Sequence, residues 1–282
     1  MLLGAHMSIA GGVDKAFERG QHAGCDVIQI FTRNNNQWDA PPLTHKQAAQ
    51  FIAQKKKTGI NCVAAHDCYL INIASPDKML REKSQQALID EVERADQLRI
   101  PYVVMHPGSH TGSGERSGIK LIMSSLRKVL RGTQHATVAM LLETTAGQGS
   151  SIGYTFEQLG EIIDNIREKD RVGVCFDTCH AFAAGYDFRT RKTYRKTFSH
   201  FNDVIGLQYL KMFHFNDSKK ELGSRVDRHE HIGKGALGHE AFRLILRDKH
   251  FKKVPKILET PKSVDMHEDR VNLATLRRLG KA

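Results

Sequence analysis

The sequence predicts an α/β protein, one closed (β/α)8 barrel spanning residues 1–282, and three observations point to it. Eight short apolar, β-branched runs recur down the chain, and their ends fall 25 to 45 residues apart, the length of one strand-plus-helix unit. The segments between them carry helical periodicity. Strand and helix alternate to the end, which favours a closed parallel barrel of the TIM type over an open sheet of five or six strands. Length alone leaves room for two smaller domains, but no Pro/Gly/Ser-rich linker divides the chain.

In order, the predicted strands are residues 2–5 ending at His6, 27–30 at Phe31, 62–65 at His66 and 102–105 at His106. They continue with 138–142 ending at Glu143, 172–176 at Asp177, 210–213 at His214 and 256–258 at Glu259. Residues 83–98 place Ala87, Leu88, Val92, Ala95 and Leu98 on one apolar stripe, the mark of a helix packed on a core. Phe156, Leu159, Ile162, Ile163 and Ile166 share that spacing, and 241–246 and 271–279 behave similarly. Ser75 followed by Pro76 reads as the cap and first residue of the third helix. Residues 108–118, rich in glycine and serine, read as a loop on the barrel's upper face.

Charge narrows the partners. Forty-two lysines and arginines against 31 acids give +11, which favours anionic partners, nucleic acid first and acidic membrane surfaces second. Runs such as Lys55–Lys57 read as solvated faces. No apolar run approaches the roughly 20 residues that span a bilayer, and residues 1–12 lack a signal-peptide pattern, so a cytoplasmic protein without a membrane partner is expected. The five cysteines, at 25, 62, 68, 175 and 179, read as buried free thiols rather than a disulfide framework or a thiolate metal site.

The chemistry lies at the strand ends. In a barrel these converge on one face, and here six consecutive strands, the third through the eighth, end in His, Asp or Glu. One such histidine is commonly structural. Six in succession would bury imidazoles and carboxylates together without partners, and metal supplies the partner. Two local pairs add to them: Asp177 with His180 as the chain leaves strand six, and Asp227 with His229 in an extended loop. The candidate ligands are His66, His106, Glu143, Asp177, His180, His214, Asp227, His229 and Glu259. Mixed imidazole and carboxylate donors suit zinc or manganese, and nine exceed what one tetrahedral ion needs, so two or three ions are implied.

At these residues the chain resembles the bacterial endonuclease IV family of apurinic/apyrimidinic endonucleases. The resemblance is carried by Gly4-Ala5-His6, by residues 66–72 (HDCYLIN), by 106–110 (HPGSH) and by 143–149 (ETTAGQG). It continues through 173–180 (GVCFDTCH), 214–219 (HFNDSK) and 223–229 (GSRVDRH). It implies three zinc ions, one site also open to manganese. His66, His106 and Glu143 would hold the first. Glu143 would bridge to a second on Asp177, His214 and Glu259, while His180, Asp227 and His229 would hold the third. The implied reaction hydrolyses the phosphodiester 5′ to an abasic site in double-stranded DNA, leaving a 3′-hydroxyl and a 5′-deoxyribose phosphate. A metal-bound hydroxide positioned by Glu143 is the implied nucleophile, blocked 3′ ends are further substrates, and the implied state is a monomer.

The loop after strand two, residues 32–38 (TRNNNQW), is read by resemblance as entering the DNA minor groove with Tyr69, through Arg33, Asn34, Asn36 and Gln37. The family commonly has arginine where this chain has Asn36, which predicts a weaker wedge, with Arg33 or Tyr69 compensating. Gly233-Lys234-Gly235 reads either as amides offered to phosphate at a helix start or as a plain turn. The competing readings are a metal-dependent sugar isomerase or epimerase on the same barrel, and a DNA-binding scaffold without activity.

Overall fold

A computed structural model describes residues 1–60 and 62–281. Eight parallel strands close into a barrel: β1 (Leu3–His6), β2 (Val27–Phe31), β3 (Cys62–His66), β4 (Tyr102–Met105), β5 (Ala139–Glu143), β6 (Val172–Asp177), β7 (Leu210–His214) and β8 (Lys256–Leu258). Each pairs with its neighbours in sequence, and β1 closes the ring by pairing β8 on one side and β2 on the other. Gly4 of β1 lies opposite both Ile257 and Val27, and a Cβ there would sit 1.6 Å from the Val27 carbonyl oxygen. Only glycine lets the two strands close at that point.

Helices wrap the barrel: α1 (Lys15–Ala23), α2 (His45–Thr58), α3 (Lys78–Gln97), α4 (Glu115–Gly132) and α5 (Phe156–Asp164). They are followed by α6 (Thr178–Ala183), α7 (Arg191–Val204), α8 (Gly238–Arg247) and α9 (His267–Lys281). The predicted stripe of α3 is buried at Ala87, Leu88, Val92 and Ala95, against the outer face of the strands. Its start differs from the expected one. Asp77 caps the helix, its carboxylate accepting the amides of Met79 and Leu80, while Ser75 and Pro76 precede it. A carboxylate in the extended conformation reaches two orphan amides, and Ser75 instead accepts the amide of Asp77. Residues 115–118, predicted as loop, form the first turn of α4, with Glu115 placed where its charge suits the helix dipole.

The barrel interior is layered. Val27, Ala64, Val104, Leu141, Cys175, Met212 and Ile257, one from each of β2 to β8, pack into a single apolar cluster. Side chains alternate along a strand, so the next inward residues lie two positions further on. Those are Gln29, His66, His106, Glu143, Asp177, His214 and Glu259, joined from β1 by His6. The register of the strands thus stacks a polar layer directly on an apolar one. Of the cysteines, Cys68, Cys175 and Cys179 are buried and Cys25 is half-buried, all as free thiols, and the side chain of Cys62 lies outside the described residues.

Candidate metal centre

Glu143 sits at the middle of the polar layer, fully buried, with its two oxygens facing different partners. Oε2 lies 3.1 Å from Nε2 of His66 and 3.3 Å from Nε2 of His106. Oε1 lies 2.9 Å from Nδ1 of His214 and 3.3 Å from Nδ1 of His180. Nδ1 of His214 is also 3.1 Å from Glu259 Oε2. The donor atoms gather into overlapping sets: His66, His106 and Glu143; then Glu143, Asp177, His214 and Glu259; then His180, Asp227 and His229. All nine candidate residues are brought together. A further grouping, Asp177, Cys179 and His229, overlaps these. Burial pushes the Cys179 thiol up to about 12, which keeps it a thiol.

Two helical and loop features place the third set. Asp177 caps α6 by accepting the amide of His180 at 2.8 Å, so its carboxylate and the imidazole three residues on share one face. The loop after β7 returns through a two-residue antiparallel ladder, Ser218 opposite His229, which brings His229 and Asp227 back over the barrel mouth.

The donor set fits a metal on a specific observation. Nδ1 of His180 is 2.9 Å from the Thr144 carbonyl, and Nδ1 of His229 is 3.1 Å from the Glu259 carbonyl. A carbonyl only accepts, so both Nδ1 atoms carry the proton. With both rings neutral, the two Nε2 atoms, 3.4 Å apart, would face each other lone pair to lone pair, with Asp227 oxygens 3.1 and 3.3 Å away. That contact calls for a cation between the rings. The electrostatics agree. Burial alone would raise Glu143, but His214, His106 and His180 outweigh it and hold it well below the carboxylate range. Burial alone would lower His66 and His180, yet Asp67, Asp177, Asp227 and Glu143 carry both well above the usual imidazole value. In the metal-free protein, imidazolium protons answer the carboxylates, and a bound divalent cation would take the place of those protons.

Beside the centre lies a cleft of about 650 Å³ lined by His6, Phe31, Asn34, Tyr69, His229 and Glu259, among others. Tyr69 is 65% exposed at its rim, its ring edge-on to Phe31, and its amide donates to the Asn35 carbonyl. Asn34, Asn36 and Gln37 are exposed on the same loop. Arg33 is not available there, which corrects the sequence expectation. Its side chain is buried, with Nε 2.7 Å from Glu91, Nη1 3.0 Å from Asp90 and further bonds to the carbonyls of Trp38 and Ala87. A guanidinium with its donors spent on a buried carboxylate and two carbonyls anchors the loop to α3 instead. The amides of Gly233 and Gly235 are also spent. Both donate to the Asp217 carboxylate, as do those of Leu237 and Gly238, so the turn reading holds and no phosphate site forms there.

Three residues near the ligands escaped the sequence reading. Gln29 bonds His214, Glu259 and His6. Asn216 donates to Asp177 at 2.7 Å and accepts the amide of Glu259 at 2.8 Å. Asp67 faces Nδ1 of His66. Gln29 left a signal: it is the one strongly polar side chain in the strand run 27–31, at an inward position.

The fold and these donor sets define the class, a xylose isomerase-like TIM barrel, and the family of that description matches residues 17–279. A curated relative from Chloroflexus aggregans, "Probable endonuclease 4", is 53% identical over 98% of this chain and 96% of its own length. The crystal structure of endonuclease IV from Thermus thermophilus superposes with a TM-score of 0.87 at 34% identity, covering 99% of this chain and 98% of the other. The chain belongs to the endonuclease IV family. A D-tagatose 3-epimerase-like protein shares the fold, at TM-score 0.74 and 18% identity over 99% of this chain and 98% of its own.

Proposed function

We propose that this chain is a DNA-repair endonuclease that hydrolyses the phosphodiester 5′ to abasic sites in double-stranded DNA, leaving a 3′-hydroxyl and a 5′-deoxyribose phosphate, and that it also clears blocked 3′ ends. The reading rests on family membership and on one observation: nine donors form three sets, two of which share Glu143. A sugar isomerase or epimerase needs one or two ions, and no feature of the cleft favours that alternative.

His66, His106 and Glu143 would hold one zinc ion, Glu143 with Asp177, His214 and Glu259 a second, and His180, Asp227 and His229 a third, with manganese an option at one site. When bound, such ions supply positive charge to the phosphate and lower the pKa of water to about 7. The protein's part is placement. Glu143, with an oxygen turned to each side, spans two sets and fixes their separation. The four ligand carboxylates would repel a phosphate in the metal-free protein, so loading of the centre also governs substrate entry. Tyr69 and Asn34 line the cleft, Asn36 and Gln37 are exposed on the same loop, and these four side chains would wedge the stack. Turning out a nucleotide costs a few kcal/mol, least where the base is already missing. Binding as a monomer through phosphate contacts predicts steep salt dependence.

The test is an oligonucleotide duplex carrying one abasic analogue, paired with metal analysis of the protein. Incision on the 5′ side, lost with a chelator and restored by zinc, is expected. Absence of incision together with turnover of a ketose or aldose would overturn the reading.

A further inference from the structure

Four ligand imidazoles have the nitrogen that faces away from the centre held by an acceptor. For His66, His180 and His229 the acceptor is a backbone carbonyl, of Asp67, Thr144 and Glu259 respectively, with the Asp67 carboxylate also 3.3 Å from the His66 nitrogen. For His214 it is a side chain: Nε2 lies 2.9 Å from Oε1 of Gln29. Gln29 is fully buried on β2, in the polar layer of the barrel, two residues above Val27 of the apolar ring. The other end of its amide is also engaged. Nε2 donates to Glu259 Oε1 at 2.5 Å and lies 3.1 Å from His6 Nδ1.

These contacts fix which way round the amide sits. The nitrogen must face the Glu259 carboxylate, which only accepts, so the oxygen must face His214. An amide oxygen also only accepts, so His214 carries its proton on Nε2. Its Nδ1, the atom 2.9 Å from Glu143 and 3.1 Å from Glu259, is then the free donor. One side chain sets the tautomer of one ligand and the rotamer of another in the same set.

We propose that Gln29 is a positioning residue for the set made by Glu143, Asp177, His214 and Glu259, and so controls the zinc affinity of that set apart from the other two. This rests on the metal-centre reading given above. The distinction from His180 and His229 is physical: a backbone carbonyl cannot be removed by substitution, whereas Gln29 can. Groups that orient metal ligands in this way commonly change affinity by about 10- to 100-fold.

The experiment uses the full chain, the Gln29→Met variant, which keeps length and burial but removes the hydrogen bonds to His214, Glu259 and His6, and zinc alone as the probe. Titration against a metal buffer should show one ion bound about 10- to 100-fold more weakly, with the other zinc equivalents unchanged. Nitrogen-15 NMR of the zinc-loaded parent should place the His214 proton on Nε2, a readout that does not depend on the variant folding. Unchanged zinc affinity in the variant, or a proton on Nδ1 in the parent, overturns the proposal while leaving the metal centre standing. A parent protein that binds no zinc overturns both.

Discussion

Two layers inside this barrel, two residues apart on most of its strands, are built from the same backbone and behave in opposite ways. The lower, from Val27 round to Ile257, is a closed apolar ring whose burial stabilises the fold. The upper, His6, Gln29, His66, His106, Glu143, Asp177, His214 and Glu259, buries carboxylates and imidazoles, which costs free energy unless a cation completes it. A single register produces both, because moving two residues along a strand keeps the side chain inside and raises it one layer. Stability is concentrated below and chemistry above. The two should therefore respond separately to substitution.

The largest expected effect comes from breaking the upper layer at its centre. Glu143→Ala should lower incision of abasic duplex by roughly a thousand-fold or more, since losing the bridge removes several kcal/mol of charge stabilisation. Some DNA binding should remain. Rates near the parent value would contradict the bridging role. Leu141→Ala, two residues below on β5, should do the reverse. Emptying that position should destabilise by about 2–5 kcal/mol in denaturant unfolding and leave the rate per folded molecule little changed. A lost rate with unchanged stability would erase the distinction between layers.

How much of this was legible in the sequence follows the same layering. The eight strands and the nine ligands could be read because strand ends recur and because His, Asp and Glu at the end of an apolar run stand out. Gln29 cannot be seen from strand ends, because it lies inside its strand. Counting inward positions by twos from Val27 would have reached it. The burial of Arg33 is illegible in sequence for another reason. Its partners Asp90 and Glu91 lie nearly 60 residues away on α3, and no local pattern shows that a loop arginine will fold inward onto them. The amides at Gly233 and Gly235 were ambiguous in the same way, since only the fold brings Asp217 beneath them.

The strand β8 offers a finer test, because a lysine starts it and a candidate ligand follows it. Lys256 is 1% exposed, its ammonium donating to the Phe251 carbonyl, and burial pushes its pKa from 10.5 down to about 8. The sign is fixed by proton counts. Between pH 8 and 10.5 the unfolded chain binds this proton and the folded chain has released it, so this group's contribution to stability rises with pH across that window. Below pH 8 the charged form is a standing cost. Lys256→Met should stabilise the protein at pH 7 by a few kcal/mol, and the gain should shrink as pH climbs past 8. The Phe251 carbonyl keeps the amide of Val254 as a partner, so the variant leaves no orphan there. Parallel melting curves of parent and variant from pH 6 to 10 are the measurement. A gain that does not vary with pH would mean the ammonium is solvated.

The smallest effect sharpens a contrast between the centre and its rim. Every candidate ligand is present and gathered, whereas the loop proposed as a wedge carries Asn36 where the resemblance to the family leads one to expect arginine. Of the two compensators considered from sequence, Arg33 is locked onto Glu91 and Asp90, which leaves Tyr69. The loop is held in place: the Asn36 amide bonds Asn34 Oδ1 at 3.0 Å, and Tyr69 is tied to Asn35 through the backbone. A new side chain at position 36 would thus project from a fixed base into solvent, where Asn36 now points. Asn36→Arg should tighten binding to abasic duplex several-fold, from roughly 1 kcal/mol of stacking or cation–π contact. It should also steepen the salt dependence by about one counterion if the guanidinium reaches a phosphate. Binding isotherms at several salt concentrations separate the two routes. A dissociation constant and slope both unchanged would show that the rim reads the lesion without a residue at this position, and that Tyr69 carries the wedge alone.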